Sequence, residues 1–298
     1  MKKVLVFFIS LVSILAFSQV ARGQDGKAKI SVFVSILPQA CFLERIGGEH
    51  VAVEVLVGEG QSPHTYEPTP RQMAKLSTAK AYFRIGVPFE KGILRKIRQS
   101  HKNLVIVETQ KGIAYRYLAG HDHGKSRGND QGEKGHKTPD PHIWMDPKLV
   151  KIQARNIYDA LCRLDPVHRR DYMENLKGFQ ADLDRVDARI SRSLAPFKGR
   201  MMYVFHPAFG YFADSYGLVQ APIEIEGKEP GAKQLARLIE RAKKDRVKVI
   251  FVQPQFSMRS AGTIAKEIGG VVVPINSLAR DYLANLEKIA AAVEQGLR

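Results

Sequence analysis

Apolar residues recur at steps of three and four along residues 167–194. Tyr172, Leu176, Phe179, Leu183, Val186, Ile190 and Leu194 draw one stripe, which predicts a helix. Asp165-Pro166 supplies its start and Pro196 its stop, because proline suits a first turn and breaks an interior. At about 1.5 Å per residue the helix is roughly 40 Å long, the height of two small domains side by side. Upstream, strand-like runs at 30–37, 51–57, 81–85 and 104–107 alternate with helical segments at 38–46, 72–78 and 89–99, and 148–164 reads as a further helix. Downstream the alternation resumes, with strands at 201–205, 218–223, 247–252 and 271–273, helices at 208–216, 232–244 and 258–268, and a closing helix at 282–297. Such alternation predicts parallel sheets with crossover helices. The expected fold class is α/β: two parallel-sheet lobes joined by one long backbone helix, with lobes at 24–165 and 197–298 and the linking helix at 166–196. A single α/β domain with a long surface helix is the simpler alternative. No internal sequence repeat is visible.

The first 23 residues stand apart. Met1-Lys2-Lys3 is a basic start, residues 4–17 are apolar, and Ala21-Arg22-Gly23 offers small residues for cleavage. This is the pattern of a secretory signal peptide, too short for a membrane span. No cysteine follows the apolar run closely, so no lipid attachment is expected there. The mature chain is expected to be soluble and periplasmic, and long enough for two lobes with cores of their own. Removing Lys2, Lys3 and Arg22 lowers the net charge from +16 to +13. A charge of that size could favour nucleic acid or an anionic membrane. The basic residues are mixed with acids, as in Lys243-Lys244-Asp245-Arg246, and no basic stripe alternates with aromatics. The expectation is a solvated basic surface and no nucleic-acid partner. Cys41 and Cys162 allow at most one disulfide, with buried free thiols as the equal alternative.

Residues 120–140 contain no aliphatic side chain, so they have nothing with which to cover a core and are expected to form a polar loop. The loop carries His121, His123 and His136. Three other histidines sit beside prolines that fix their backbones: His64 in Ser62-Pro63-His64-Thr65-Tyr66-Glu67-Pro68, His142 in Asp140-Pro141-His142-Ile143-Trp144-Met145-Asp146-Pro147, and His206 in Val204-Phe205-His206-Pro207-Ala208. His64 and His206 both follow expected strands, and open parallel sheets bind ligands beyond their carboxyl ends. Neutral imidazoles suit a borderline-soft ion such as zinc. Glu67, Asp140 and Asp146 are the nearby acids able to take the second ring proton. Taken singly, a histidine serves as a surface or satisfied structural residue more often than as a ligand.

Together these motifs resemble the solute-binding proteins of zinc and manganese ABC importers, above all the periplasmic zinc-uptake type. Further stretches in the same order strengthen the resemblance over the whole mature chain: Glu229-Pro230-Gly231-Ala232-Lys233-Gln234, Phe251-Val252-Gln253-Pro254-Gln255-Phe256 and Asn276-Ser277-Leu278-Ala279. The resemblance implies two lobes on a helical spine with the metal between them. It implies that His64, His142 and His206 are ligands. It implies Zn2+ rather than Mn2+, since manganese members usually carry glutamate at the third place. At the fourth place Asn276 stands where the family often has aspartate, which leaves Asn276, Asp281, Glu67 or water. Gln253 likewise replaces a common glutamate. The polar loop matches a histidine-rich insertion of zinc-type members, a possible auxiliary metal site at His121, His123 and His136. The implied function is zinc capture in the periplasm and delivery to an ABC permease of the inner membrane, by a monomer that is not an enzyme. Rival readings are a manganese or iron carrier, a buffer with no permease, an adhesin, or a zinc hydrolase. Against the last, the chain has no His-Glu-x-x-His and no Gly-x-Ser-x-Gly motif, and the glycine spacing at 227–233 is wrong for a phosphate loop.

Overall fold

The computed structural model describes residues 29–100, 103–118, 138–224 and 230–298. The expected signal peptide and the three histidines of the polar loop lie outside them. The first lobe runs β1 (Ile30–Ile36), α1 (Leu37–Gly47), β2 (Val51–Val57), α2 (Pro70–Thr78), β3 (Ala81–Arg84), α3 (Glu90–Ser100) and β4 (Val105–Glu108). Helix α4 (Pro147–Leu164) leads into the long α5 (Arg169–Leu194). The second lobe follows as β5 (Met201–Val204), α6 (Gly210–Tyr216), β6 (Val219–Pro222), α7 (Ala232–Lys244), β7 (Val249–Val252), α8 (Met258–Glu267), β8 (Val271–Pro274) and α9 (Tyr282–Leu297). The expected elements are all present, with ends within three residues of the expectation.

Both sheets are parallel and share one topology, β2-β1-β3-β4 in the first lobe and β6-β5-β7-β8 in the second. Parallel strands are covered on both faces, so their side chains are mostly apolar on either side and alternate in direction. In β1, Val32, Val34 and Ile36 face inward while Phe33 joins Tyr82, Leu76 and Ile93 in an outer core. In β5, Met202 and Val204 face inward while Tyr203 joins Ile250, Ala221 and Ile264 in the outer core of the second lobe.

The inner faces do not form separate cores. One cluster runs from Val34 and Phe83 through the spine to Phe212, Phe251 and Leu286. This corrects the expectation of independent lobe cores: each sheet owns its outer core, and the two inner cores fuse around α5. The cause is the stripe read from the sequence, since all seven of its residues are buried. Helix α5 has 26 residues, flanked by 3-10 turns at Pro166–His168 and Ala195–Phe197 where the prolines sit. Both cysteines are free thiols, Cys162 buried and Cys41 half-buried. Burial pushes the Cys41 thiol pKa up.

Candidate metal centre

His64 lies on the loop after β2, and that loop is tied at both ends of its turn. Thr69 and Gln72 cap α2 reciprocally, and Gln72 Nε2 donates to the Leu56 carbonyl at 2.9 Å. Tyr66 donates to Gln72 at 2.8 Å and packs edge-on against Phe89. His142 enters a 3-10 turn, Ile143–Met145, which α4 continues after Asp146 caps it at Lys148 N. His206 stands at the carboxyl end of β5. Gln253 holds its main chain from both sides, accepting from His206 N at 3.2 Å and donating to His206 O at 2.7 Å. The amide does what a glutamate there could not, because a carboxylate has no N–H to give.

The three Nε2 atoms converge: His64 to His142 is 3.3 Å, His64 to His206 3.0 Å and His142 to His206 3.2 Å. Among the described residues this is the one group of histidine, cysteine or acid side chains able to hold a metal ion. Two of the rings have their tautomer set from behind. His142 Nδ1 donates to Asp140 at 2.7 Å, and His206 Nδ1 donates to Glu224 at 2.7 Å. Both carboxylates are buried. With the protons on Nδ1, the facing Nε2 atoms present lone pairs to each other across about 3 Å. That contact is repulsive unless a cation sits between them. Tetrahedral zinc with Zn–N bonds of about 2.0–2.1 Å requires N···N edges of about 3.3 Å, close to those observed.

The electrostatics agree. Burial and the two neighbouring imidazoles lower the His64 pKa to about 3. Burial lowers that of His206 against the pull of Glu224. Burial acts to raise the Asp140 pKa, but its bonds to His142 and Arg116 outweigh it and hold the carboxyl below its ordinary value. Arg116 Nη1 reaches Asp140 Oδ2 at 2.9 Å while its Nε donates to Asp214 Oδ2, also at 2.9 Å. Gly210 leaves room for the guanidinium: a Cβ there would lie 1.4 Å from Arg116 Nη1.

The structure engages Asn276 and Asp146 in other bonds and leaves Asp281 and Glu67 outside the imidazole group. Asn276 Oδ1 accepts from Leu278 N at 2.8 Å, closing a turn, and its carbonyl accepts from Asn285. Asp281 is exposed at the start of α9, and Glu67 is exposed on its loop. Neither carboxylate joins the imidazole group. Asp146, expected as a proton acceptor, instead caps α4 and accepts from Ser215 at 2.8 Å. Glu224 was missed by the sequence reading. Its available signal was position, two residues past a strand end in a sheet whose neighbouring strand delivers His206. The mouth of the centre is lined by Ser62, Pro63, Gln255, Phe256, Ser277 and Leu278 and encloses about 10 Å³, the space of one water. Phe256 stacks on His206 with ring centroids 4.8 Å apart.

Fold and site together define a class: a two-lobed α/β protein on a helical spine, with three imidazoles between the lobes able to hold a metal ion. The chain belongs to the family "Zinc-uptake complex component A periplasmic" (ZnuA), whose model matches residues 32–296. The high-affinity zinc uptake system protein ZnuA of Bacillus subtilis (strain 168) is 30% identical over 277 residues, covering 90% of this chain and 85% of that one. The zinc-binding lipoprotein AdcA of Streptococcus pneumoniae is 27% identical over 99% of this chain, which spans only 61% of that relative's length. A crystal structure of ZnuA superposes at TM-score 0.83 with 40% identity, covering 91% of this chain and 100% of that one. The family comprises metal-binding receptors, not enzymes. Among the described residues no helix is long and apolar enough to cross a membrane.

Proposed function

We propose that this protein captures one zinc ion through His64, His142 and His206 and delivers it, as a periplasmic monomer, to the permease of an ABC importer. The observation that carries the reading is the triangle of three Nε2 atoms, two of them fixed as acceptors by Asp140 and Glu224 behind their rings. Lobe 24–165 supplies His64 and His142, lobe 197–298 supplies His206, and the spine 166–196 sets their spacing. The fourth corner of the tetrahedron falls to a water at the small mouth, because Asn276 is engaged in its turn and no carboxylate among the described residues joins the imidazole group.

Direct bonds fasten the lobes around the centre. Trp144 Nε1 donates to the Ser277 carbonyl at 2.7 Å, Tyr282 donates to the Trp144 carbonyl at 2.7 Å, and Tyr211 donates to the Asp140 carbonyl at 3.0 Å. With the fused core these favour release by small shifts at the cleft rather than wide opening. His64 is the half-buried ligand and the one without a carboxylate behind its ring among the described residues, so it is the natural first ligand to let go. Calorimetric titration of metal-stripped protein with zinc, and separately with manganese, tests the reading. One tight zinc site, lost in His64→Ala, supports it. Preference for manganese refutes the cargo, and absence of tight binding refutes the function.

A further inference from the structure

Helix α7 gathers charges that look scattered in the sequence. Leu235, Leu238, Ile239 and Ala242 turn one side of it into the outer core of the second lobe. Lys233, Arg237, Arg241 and Lys244 follow at spacings of four, four and three, which places them on the opposite side as one outward ridge. All four are exposed, as are Lys243 and Arg246 beside them. Among the described residues only Arg241 of these six has a carboxylate partner, Asp245 at 3.8 Å, and Glu240 and Asp245 are the two acids beside the six cations. Helix α8 packs on the same outer core and adds exposed Arg259 and Lys266, with Glu267 as its acid.

The end of the helix carries a second observation. Helices α6 and α8 stop at Gly217 and Gly269, each with φ above +60°. Their closing bonds run from Leu218 N to Ala213 O and from Gly270 N to Ala265 O, both 2.8 Å. Helix α7 stops in the same way, with Val247 N to Ala242 O at 2.9 Å, but the left-handed position is Arg246, at φ 53°. It is the one non-glycine residue with positive φ among the described residues. Glycine is the unstrained choice at this position, so the arginine holds a strained backbone and presents a further cation at the end of the ridge.

We propose that this ridge docks the protein on a bilayer of anionic phospholipid. Several features favour a membrane surface over a protein partner. The charges are long and flexible, and all but Arg241 of the six lack a carboxylate partner among the described residues. On α7 they repeat every helical turn, and no exposed aromatic or large apolar side chain stands among them there. Specific protein interfaces are depleted in lysine and built round aromatic anchors, whereas a fluid sheet of phosphates needs only a row of cations. The apolar side of α7 is already buried, so the contact is superficial and electrostatic, without insertion. The consequence is retention of the receptor close to the membrane.

The test is co-sedimentation of the exported chain, without the apolar leader 1–23, with phosphatidylglycerol-containing vesicles and with purely zwitterionic ones. Binding is expected for the anionic vesicles alone, at about 0.1 M salt but not at about 1 M. Each removed cation is expected to weaken partitioning about fivefold, so Lys233→Gln/Arg237→Gln/Lys244→Gln should weaken it about a hundredfold with zinc titration unchanged. Arg246→Gly should raise the melting temperature while weakening vesicle binding, a combination that general destabilisation does not produce. Equal weakening by Lys91→Gln/Arg95→Gln/Lys96→Gln on α3, which removes the same charge elsewhere, overturns the ridge. Failure to bind anionic vesicles, or equal retention by soluble polyglutamate, overturns the lipid surface. Zinc titration is read separately, so failure of the ridge and failure of the metal centre are distinguishable.

Discussion

Glu224 gives the sharpest test of how the centre works. Its carboxylate is buried, accepts from His206 Nδ1 at 2.7 Å, and has no lysine or arginine partner among the described residues. Glu224→Gln keeps the shape and removes the charge. Adding the ring and a Zn–N bond of about 2 Å puts that charge about 6–7 Å from a bound ion. At an effective dielectric constant of about 20, the attraction to a divalent ion there is about 5 kcal/mol, an upper limit. Desolvation and the weaker acceptor that remains reduce the effect to that typical of carboxylates behind metal-bound histidines, about 10- to 100-fold in affinity, or about 1.4–2.7 kcal/mol. The assay is zinc titration in competition with a chelator, for the single variants and the pair with His206→Ala. Glu224 acts only through His206, so Glu224→Gln should add almost nothing once His206 is gone. Unchanged affinity in the single variant, or full additivity in the double, would refute the reasoning.

Four further outcomes follow from the same geometry. Gly210→Ala should push the Arg116 guanidinium off Asp140 and leave a buried carboxylate without its cation, costing about 3–5 kcal/mol by denaturant melting. The metal-free protein should lose stability as pH falls below about 6.5, because unfolded histidines take up protons while folded His64, with its pKa lowered to about 3, and His206, also lowered, stay neutral. Thermal melts at descending pH check this, and a flat or rising profile contradicts it. Leu183→Ala, at a fully buried spine position, should cost about 3–5 kcal/mol and lower one calorimetric transition, since the core it belongs to spans both lobes; two separated transitions would deny the shared core. Asn276→Ala should leave zinc affinity within a few-fold and cost about 1 kcal/mol through the lost turn bond to Leu278; a loss of zinc binding would restore Asn276 as a ligand.

The spine, both lobes and the strand-helix alternation were legible in the sequence, because each rests on a local period. A stripe at 3.6 residues or an apolar run between turn signals is written into adjacent residues, and proline marks its ends. The three central histidines were legible by another route, as motifs in a recognisable order. Their convergence followed from that resemblance and not from spacing, because residues 78 and 64 positions apart share a point only through the sheets that carry them.

Chain folding alone decided the rest. The common strand order of the two lobes leaves no sequence repeat, since parallel topology asks only for apolar runs and not for particular residues. The fusion of the inner cores depended on which way alternate strand residues turned once α5 lay between the sheets. Glu224 was indistinguishable from any surface acid until β6 set it behind His206. Asn276, one of the candidates for a fourth ligand, has its side-chain oxygen in a turn bond to Leu278 N. Propensity and periodicity act over a few residues and are set by the sequence, whereas a metal centre is a relation among distant backbones, and only packing fixes that relation.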